Sequence, residues 1–306
     1  MSLLKLLPAP KQLLLGPPTK IGYLRLHEAV IESGTKLKLS IPIKAVKGGG
    51  LFRRAIPSER LGDGSKTSVI FSKVGGDTNR YDGKTAKGNT APVIYLSTDT
   101  DAARAEGLYY SKHPDKNKTK GTDFRLPVLD LKRLGGNPRL WLPTQTIVTY
   151  RTAGEVALAD FRMDSTDGMR FLKELNQDAD VRAALKLTPY SHLVQALQAT
   201  DDYSVSRALA YLADKVLGAN GSTWNTARIS RNADRFSDNA TLKGEEQKPV
   251  EGLRPLFAQE YFEVNGNVWY VVKKLDPTVN PYDFAMFPEG ERVEPQVPGI
   301  EDEFTR

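Results

Sequence analysis

The sequence predicts an α+β fold in which a bent, mixed β-sheet carries flanking helices. Three observations predict it. Apolar and aromatic runs of strand length occur at Leu51 to Ile56, Ala91 to Leu96 and Thr146 to Tyr150. Helical periodicity appears elsewhere, as at Ala208, Leu209, Leu212 and Val216. Near the C-terminal end, Asn265-Gly266 separates the aromatic-rich runs Gln259 to Val264 and Asn267 to Lys273, which is a hairpin signal.

Taken in order, residues 1–21 mix leucine clusters with proline and lysine, and Pro17-Pro18 opposes a long helix, so this segment reads as an arm. Lys36 to Lys44 alternates apolar and polar residues and reads as a half-exposed strand. Gly48 to Gly50 separates it from the next strand, which carries Arg53-Arg54. After Leu96, the residues Ser97-Thr98-Asp99 supply N-cap chemistry, and Thr98 with Asp101 resembles a capping box opening a helix over residues 100–110. Ser111 to Arg125 is lysine-rich and reads as an exposed loop, with a strand-like run from Arg125 to Leu131. Glu155 to Phe161 is mixed and unassigned. Met169 to Leu187 is helical with a break at Asp178 to Asp180, and Ser191 to Ala199 is a further helix. Asp201 to Ser204 caps a third helix, Val205 to Leu217, which stops at Gly218; a turn and short strand follow toward Arg228.

Length and composition suit one large globular domain or two small ones: 306 residues, 40% of them hydrophobic. No apolar run is long enough to span a membrane, and Lys5, Pro8, Pro10 and Lys11 interrupt the N-terminal leucines, so a soluble protein without a cleaved secretory leader is expected. Absent cysteine excludes disulfides, thiolate nucleophiles and sulfur-ligated zinc. His27, His113 and His192 are scattered, so no metal is expected and a histidine-dependent hydrolase is disfavoured. The glycine pairs lack phosphate-loop or dinucleotide-fingerprint spacing. Net charge is +6, with acidic residues concentrated from Asp283 onward. A basic body attracts nucleic acid or a polyphosphate-bearing small molecule, or is simply a solvated surface. Aromatic residues are not interleaved with the basic loop, which argues against a single-strand nucleic-acid platform.

Gly75 to Tyr110 concentrates the candidate chemistry. Arg80-Tyr81 lies between a Gly-Gly turn and the Asp82-Gly83 turn, where side chains emerge for ligand contact. Tyr95 falls near the end of its strand. Glu106 shares a helix face with Ala102 and Tyr109, either as a boundary glutamate paired with an arginine or as a working carboxylate.

These motifs resemble the RES domain family, named for an Arg, a Glu and a Ser. Leu51-Phe52-Arg53 matches its first strand end, Gly75-Gly76 through Arg80-Tyr81 its Gly-Gly-Arg-aromatic turn with an insertion, Val93-Ile94-Tyr95 its second strand end, and Ala103 to Glu106 its helix. The last motif is altered: Thr226, within Gly221 to Arg228, stands where the family has serine. The resemblance covers roughly residues 51–228. It implies an ADP-ribosyltransferase-like fold and an NAD-degrading toxin, acting in the cytoplasm of its own or another cell. By the same resemblance, the nicotinamide–ribose bond is cleaved, with water or phosphate as acceptor, or ADP-ribose passes to a macromolecule. Glu106, Arg53 and Thr226 are the implied catalytic residues, Arg80, Tyr81 and Tyr95 the NAD contacts, and an antitoxin or immunity protein the implied partner. An inactive scaffold is the alternative that the threonine raises. The chain then divides into an N-terminal arm with its leading strand (residues 1–50), an NAD-processing domain (residues 51–275) and an acidic tail (residues 276–306).

Overall fold

A computed structural model describes residues 20–57, 80–81, 84–85, 87–100, 102–103, 106, 145–199, 202–226, 238–246, 248–264 and 267–280. The expected loop at 111–125, the strand at 125–131, Tyr109, Asp101, the acidic residues from Asp283 onward and the hairpin tip Asn265-Gly266 lie outside these residues.

The chain is α+β, as the alternation of strand runs and helical periodicities predicts. Its strands are β1 (Ile43–Val46), β2 (Leu51–Pro57), β3 (Lys84–Thr85), β4 (Gly88–Asn89), β5 (Val93–Ser97), β6 (Gln145–Thr152), β7 (Val156–Asp160), β8 (Gly221–Asn225), β9 (Asp238–Lys243), β10 (Leu253–Val264) and β11 (Asn267–Lys274). Nine of them form one sheet in the order β1-β7-β8-β9-β5-β2-β6-β10-β11, and β3 with β4 forms a small separate ribbon. The large sheet is mixed: β7 and β8 run parallel, and the other neighbours antiparallel. β10 and β11 form the expected hairpin. Among the described residues, β2 and β5 are joined at one registered pair, Arg53 opposite Ser97. That pair is the seam between two half-sheets.

The two faces of the sheet bury different clusters. Ile94, Leu96, Phe52, Val148, Tyr150, Leu158, Ala240 and Leu242 pack on one face. The alternate residues Tyr95 and Trp224 pack with the helical core on the other. This period-two division fixes the register, because a slip by one residue would expose the apolar set.

The helical layer comprises α1 (Lys20–Lys36), α2 (Thr166–Gln177), α3 (Ala179–Leu185), α4 (Leu193–Leu197) and α5 (Ser204–Tyr211), the last continuing through a π-helical turn, Leu212–Val216. Of the expected arm only residues 20 and 21 are described, and they open α1; the strand expected from Lys36 begins only at Ile43, because α1 runs through Lys36. Leu26, Val30 and Ile31 on it are fully buried, each worth about 1.5–3 kcal/mol of apolar transfer. Gly22 lets α1 approach α3's exit, since a Cβ there would lie 2.2 Å from the Leu187 carbonyl oxygen. The expected break at Asp178 is present for a definite reason: the Asp178 carboxylate accepts from the Asp180 and Val181 amides and caps α3.

Glu155 to Phe161, unassigned from sequence, contains β7, which pairs with both β1 and β8. The beginning of the expected tail also packs on the body, with Asp276 and Val279 buried. Among the described residues, no helix is long and apolar enough to cross a membrane.

Candidate functional site

The site lies on the helical face of the sheet, at the ends of β5, β8 and β9. Register alone aligns much of it: Arg53 opposes Ser97, Ser97 opposes Asn239, and Asn239 opposes Trp224. Directly opposed residues in antiparallel strands share a face, so these four side chains form a row across the seam.

Glu106 reaches this row from the helical turn that follows β5. The turn starts at Asp99, whose carboxylate accepts from the Ala102 amide at 2.7 Å, while Ala103 donates to the Asp99 carbonyl. Asp99 is therefore the cap. Ser97 belongs to β5 instead, and Thr98 donates both its amide and its hydroxyl to the Asp238 carbonyl. Ala102 and Ala103 are buried, which sets the turn against the core and carries Glu106 over the strand ends.

Glu106 Oε1 accepts two short hydrogen bonds, from Thr226 Oγ1 at 2.6 Å and from Asn239 Nδ2 at 2.6 Å. Asn239 is held in turn by Ser97, whose hydroxyl donates to Asn239 Oδ1 at 2.8 Å. Ser97, Asn239 and Thr226 are all buried. Of the predicted catalytic residues, the structure thus bonds Glu106 to Thr226. Arg53 stands one strand away and donates from Nη1 to the Thr98 carbonyl.

The predicted ligand contacts have different surroundings. Tyr81 is 2% exposed and stacks on Trp224 with ring centroids 3.7 Å apart. Burial raises its phenol well above the usual tyrosine range, with the nearby Arg80 charge opposing. A ring so enclosed supports Trp224. Tyr95 is half-buried, meets Trp224 edge-on and accepts the Tyr81 amide hydrogen at 2.8 Å. Arg80 gives its fork to the C-terminal end of α4, with Nη1 on the Leu197 carbonyl at 3.0 Å and Nη2 on the Ala199 carbonyl at 2.6 Å, and lies over the Tyr203 ring. Helix-terminal carbonyls lack intrahelical donors, so this arginine completes α4.

A second network braces the same strand ends from the opposite face. Arg162 forms a bidentate pair with Asp160, through Nε at 2.8 Å and Nη2 at 2.9 Å, and reaches Asp238 through Nη1 at 2.9 Å. Asn225 donates to Asp238 at 3.1 Å and to Asp164 at 2.9 Å. Burial pushes the Asp160 carboxyl up, but its hydrogen bonds and charge pairing with Arg162 prevail and hold it below the usual range. At Asp238 burial prevails, and with Asp164 nearby raises the carboxyl despite Arg162 and Lys44. Asp238 and Asn225 immediately adjoin Asn239 and Thr226, so the network fixes the backbone from which two site residues project.

Sequence reasoning missed β9 and with it Asn239. The run Asp238-Asn-Ala-Thr-Leu-Lys243 alternates small apolar and polar residues, a weak period-two signal. Gly221 is required where β8 meets β9, since a Cβ there would come 1.7 Å from the Thr241 carbonyl oxygen. Among the described residues no cluster of histidine and acidic side chains could hold a metal ion.

The fold and site define an α+β protein with a carboxylate held at the ends of its strands. No family model matches the chain, and no curated protein or solved structure matches it.

Proposed function

We propose that the chain is an NAD-degrading enzyme that cleaves the bond between nicotinamide and ribose, with a fold related to ADP-ribosyltransferases. The observation that supports this reading is the hydrogen bond between Thr226 and Glu106. The RES family resemblance assigns both positions to catalysis, and they lie 120 residues apart in sequence. Threonine keeps the hydroxyl that the family's serine would provide.

In this reaction the C1′–N bond breaks, and its electron pair passes to the pyridinium nitrogen, leaving neutral nicotinamide. Positive charge develops on the ribose, as in glycoside cleavage, but the leaving group needs no proton. The Glu106 carboxylate stabilises that charge and binds ribose hydroxyls. Thr226 sets the carboxylate's orientation, and Arg53 and Arg80 are the candidates for the pyrophosphate because a guanidinium fork matches its oxygens. Tyr95 and Trp224 form an aromatic wall, and Tyr81 backs it. An acceptor oxygen then bonds to C1′. Water gives hydrolysis, inorganic phosphate gives phosphorolysis, and a macromolecular nucleophile gives ADP-ribosyl transfer.

An enzyme of this kind needs a silencing partner in the cell that makes it. An acidic protein docking on the basic body suits that role, and rising salt would weaken its association. The test of the reading is incubation of purified protein with NAD, following nicotinamide release with and without phosphate.

A further inference from the structure

We propose that Asn239 is a positioning residue for Glu106, an inference that rests on the NAD-cleaving reading of the site. In the reaction Glu106 works as a carboxylate, and an ionised carboxylate only accepts hydrogen bonds. The end of Asn239 facing Glu106 at 2.6 Å must therefore be the NH₂ group. Its oxygen then faces Ser97, whose hydroxyl donates at 2.8 Å. The acceptor-only carboxylate excludes the flipped amide, and the Ser97 hydroxyl holds the oxygen end in place.

Thr226 approaches the same oxygen of Glu106 from just past β8, whereas Asn239 approaches from β9. Two donors on one oxygen, one on β9 and one on the residue that follows β8, fix the rotation of the carboxyl group as well as its place. Asn239, Ser97 and Thr226 are all less than a tenth exposed, so water cannot readily replace a lost donor. Pre-set orientation matters because a carboxylate that must turn as charge develops gives up part of its stabilisation of the transition state. Asn239 acts through Glu106 and need not touch NAD.

The experiment follows steady-state nicotinamide release by the full-length protein and its Asn239→Ala, Ser97→Ala and Ser97→Thr variants, each also made in a Glu106→Gln background. Asn239→Ala is expected to lower kcat about 10- to 100-fold while KM for NAD changes less than about threefold, the scale typical of lost supporting contacts. Ser97→Ala lowers kcat less, and Ser97→Thr, which keeps the hydroxyl, restores most of it. It also tests the idea if Asn239→Ala fails to fold. In the Glu106→Gln background, Asn239→Ala adds no further loss, since its partner's charge is already gone. Unchanged kcat in Asn239→Ala, or an equal loss in both backgrounds, overturns the proposal while leaving NAD cleavage intact. Wild-type protein inert toward NAD overturns both together.

Discussion

Thr226 Oγ1 donates to Glu106 Oε1 at 2.6 Å across a separation of 120 residues. Thr226→Val keeps the volume and removes the donor, leaving the Glu106 carboxylate oxygen with one partner fewer. We expect kcat for nicotinamide release to fall about 10- to 100-fold, with Thr226→Ser within about threefold of wild type. Equal activity in the valine variant would show that the hydroxyl has no part in the reaction.

The fold was readable where periodicity was strong. β2, β5, β6, the β10–β11 hairpin and the break at Asp178 all follow from local pattern. α1 was hidden because Pro17-Pro18 dominated the reading of its start, although Leu26, Val30 and Ile31 carry helical spacing. Motif resemblance singles out Glu106 and Thr226, and the structure bonds the two to one another. Asn239 was not readable, because pairing across strands is a property of register, and its own short strand is half polar. The engagements of Arg80 and Tyr81 were equally invisible. A turn sequence shows that side chains emerge from the backbone, but not that α4 or Trp224 will take them up.

Tyr81 provides a stability test. Its hydroxyl is buried with no hydrogen-bond partner among the described residues, a desolvation cost with no return. Tyr81→Phe is expected to leave stability unchanged or raise it by up to about 1 kcal/mol in urea denaturation. KM for NAD should also hold, because the hydroxyl that is removed is buried. A tenfold rise in KM would mark Tyr81 as a direct contact.

Arg162 should be structurally indispensable. Arg162→Met leaves Asp160 and Asp238 buried without their shared counter-ion, a change that costs about 3–5 kcal/mol when such a pair is broken. Urea midpoints measure it. A loss under about 1 kcal/mol would mean that solvent screens the cluster.

His27 should give stability a pH dependence. Its Nδ1 bonds the Ser204 carbonyl at 2.8 Å. Burial lowers the imidazole below its ordinary value of 6.5, with Arg207 assisting and the Ser204 carbonyl, Glu28 and Asp202 opposing. The folded state therefore binds fewer protons than the unfolded state below that value. His27's contribution is complete above about pH 6.5, declines as pH falls, and levels off below the folded-state value. His27→Gln should flatten this part of the profile in denaturation measured between pH 7 and pH 5; an unchanged slope would assign it to other groups.

The central claim is tested most directly by mixing purified wild-type protein and Glu106→Gln with NAD and quantifying free nicotinamide. The substitution keeps the shape of the side chain while removing its charge. Wild type should release nicotinamide, and the variant should be slower by about 100- to 1000-fold in kcat with an unchanged urea midpoint. NAD left intact by wild-type protein in water, in phosphate and with macromolecular acceptors, or cleaved as fast by Glu106→Gln, would contradict the account.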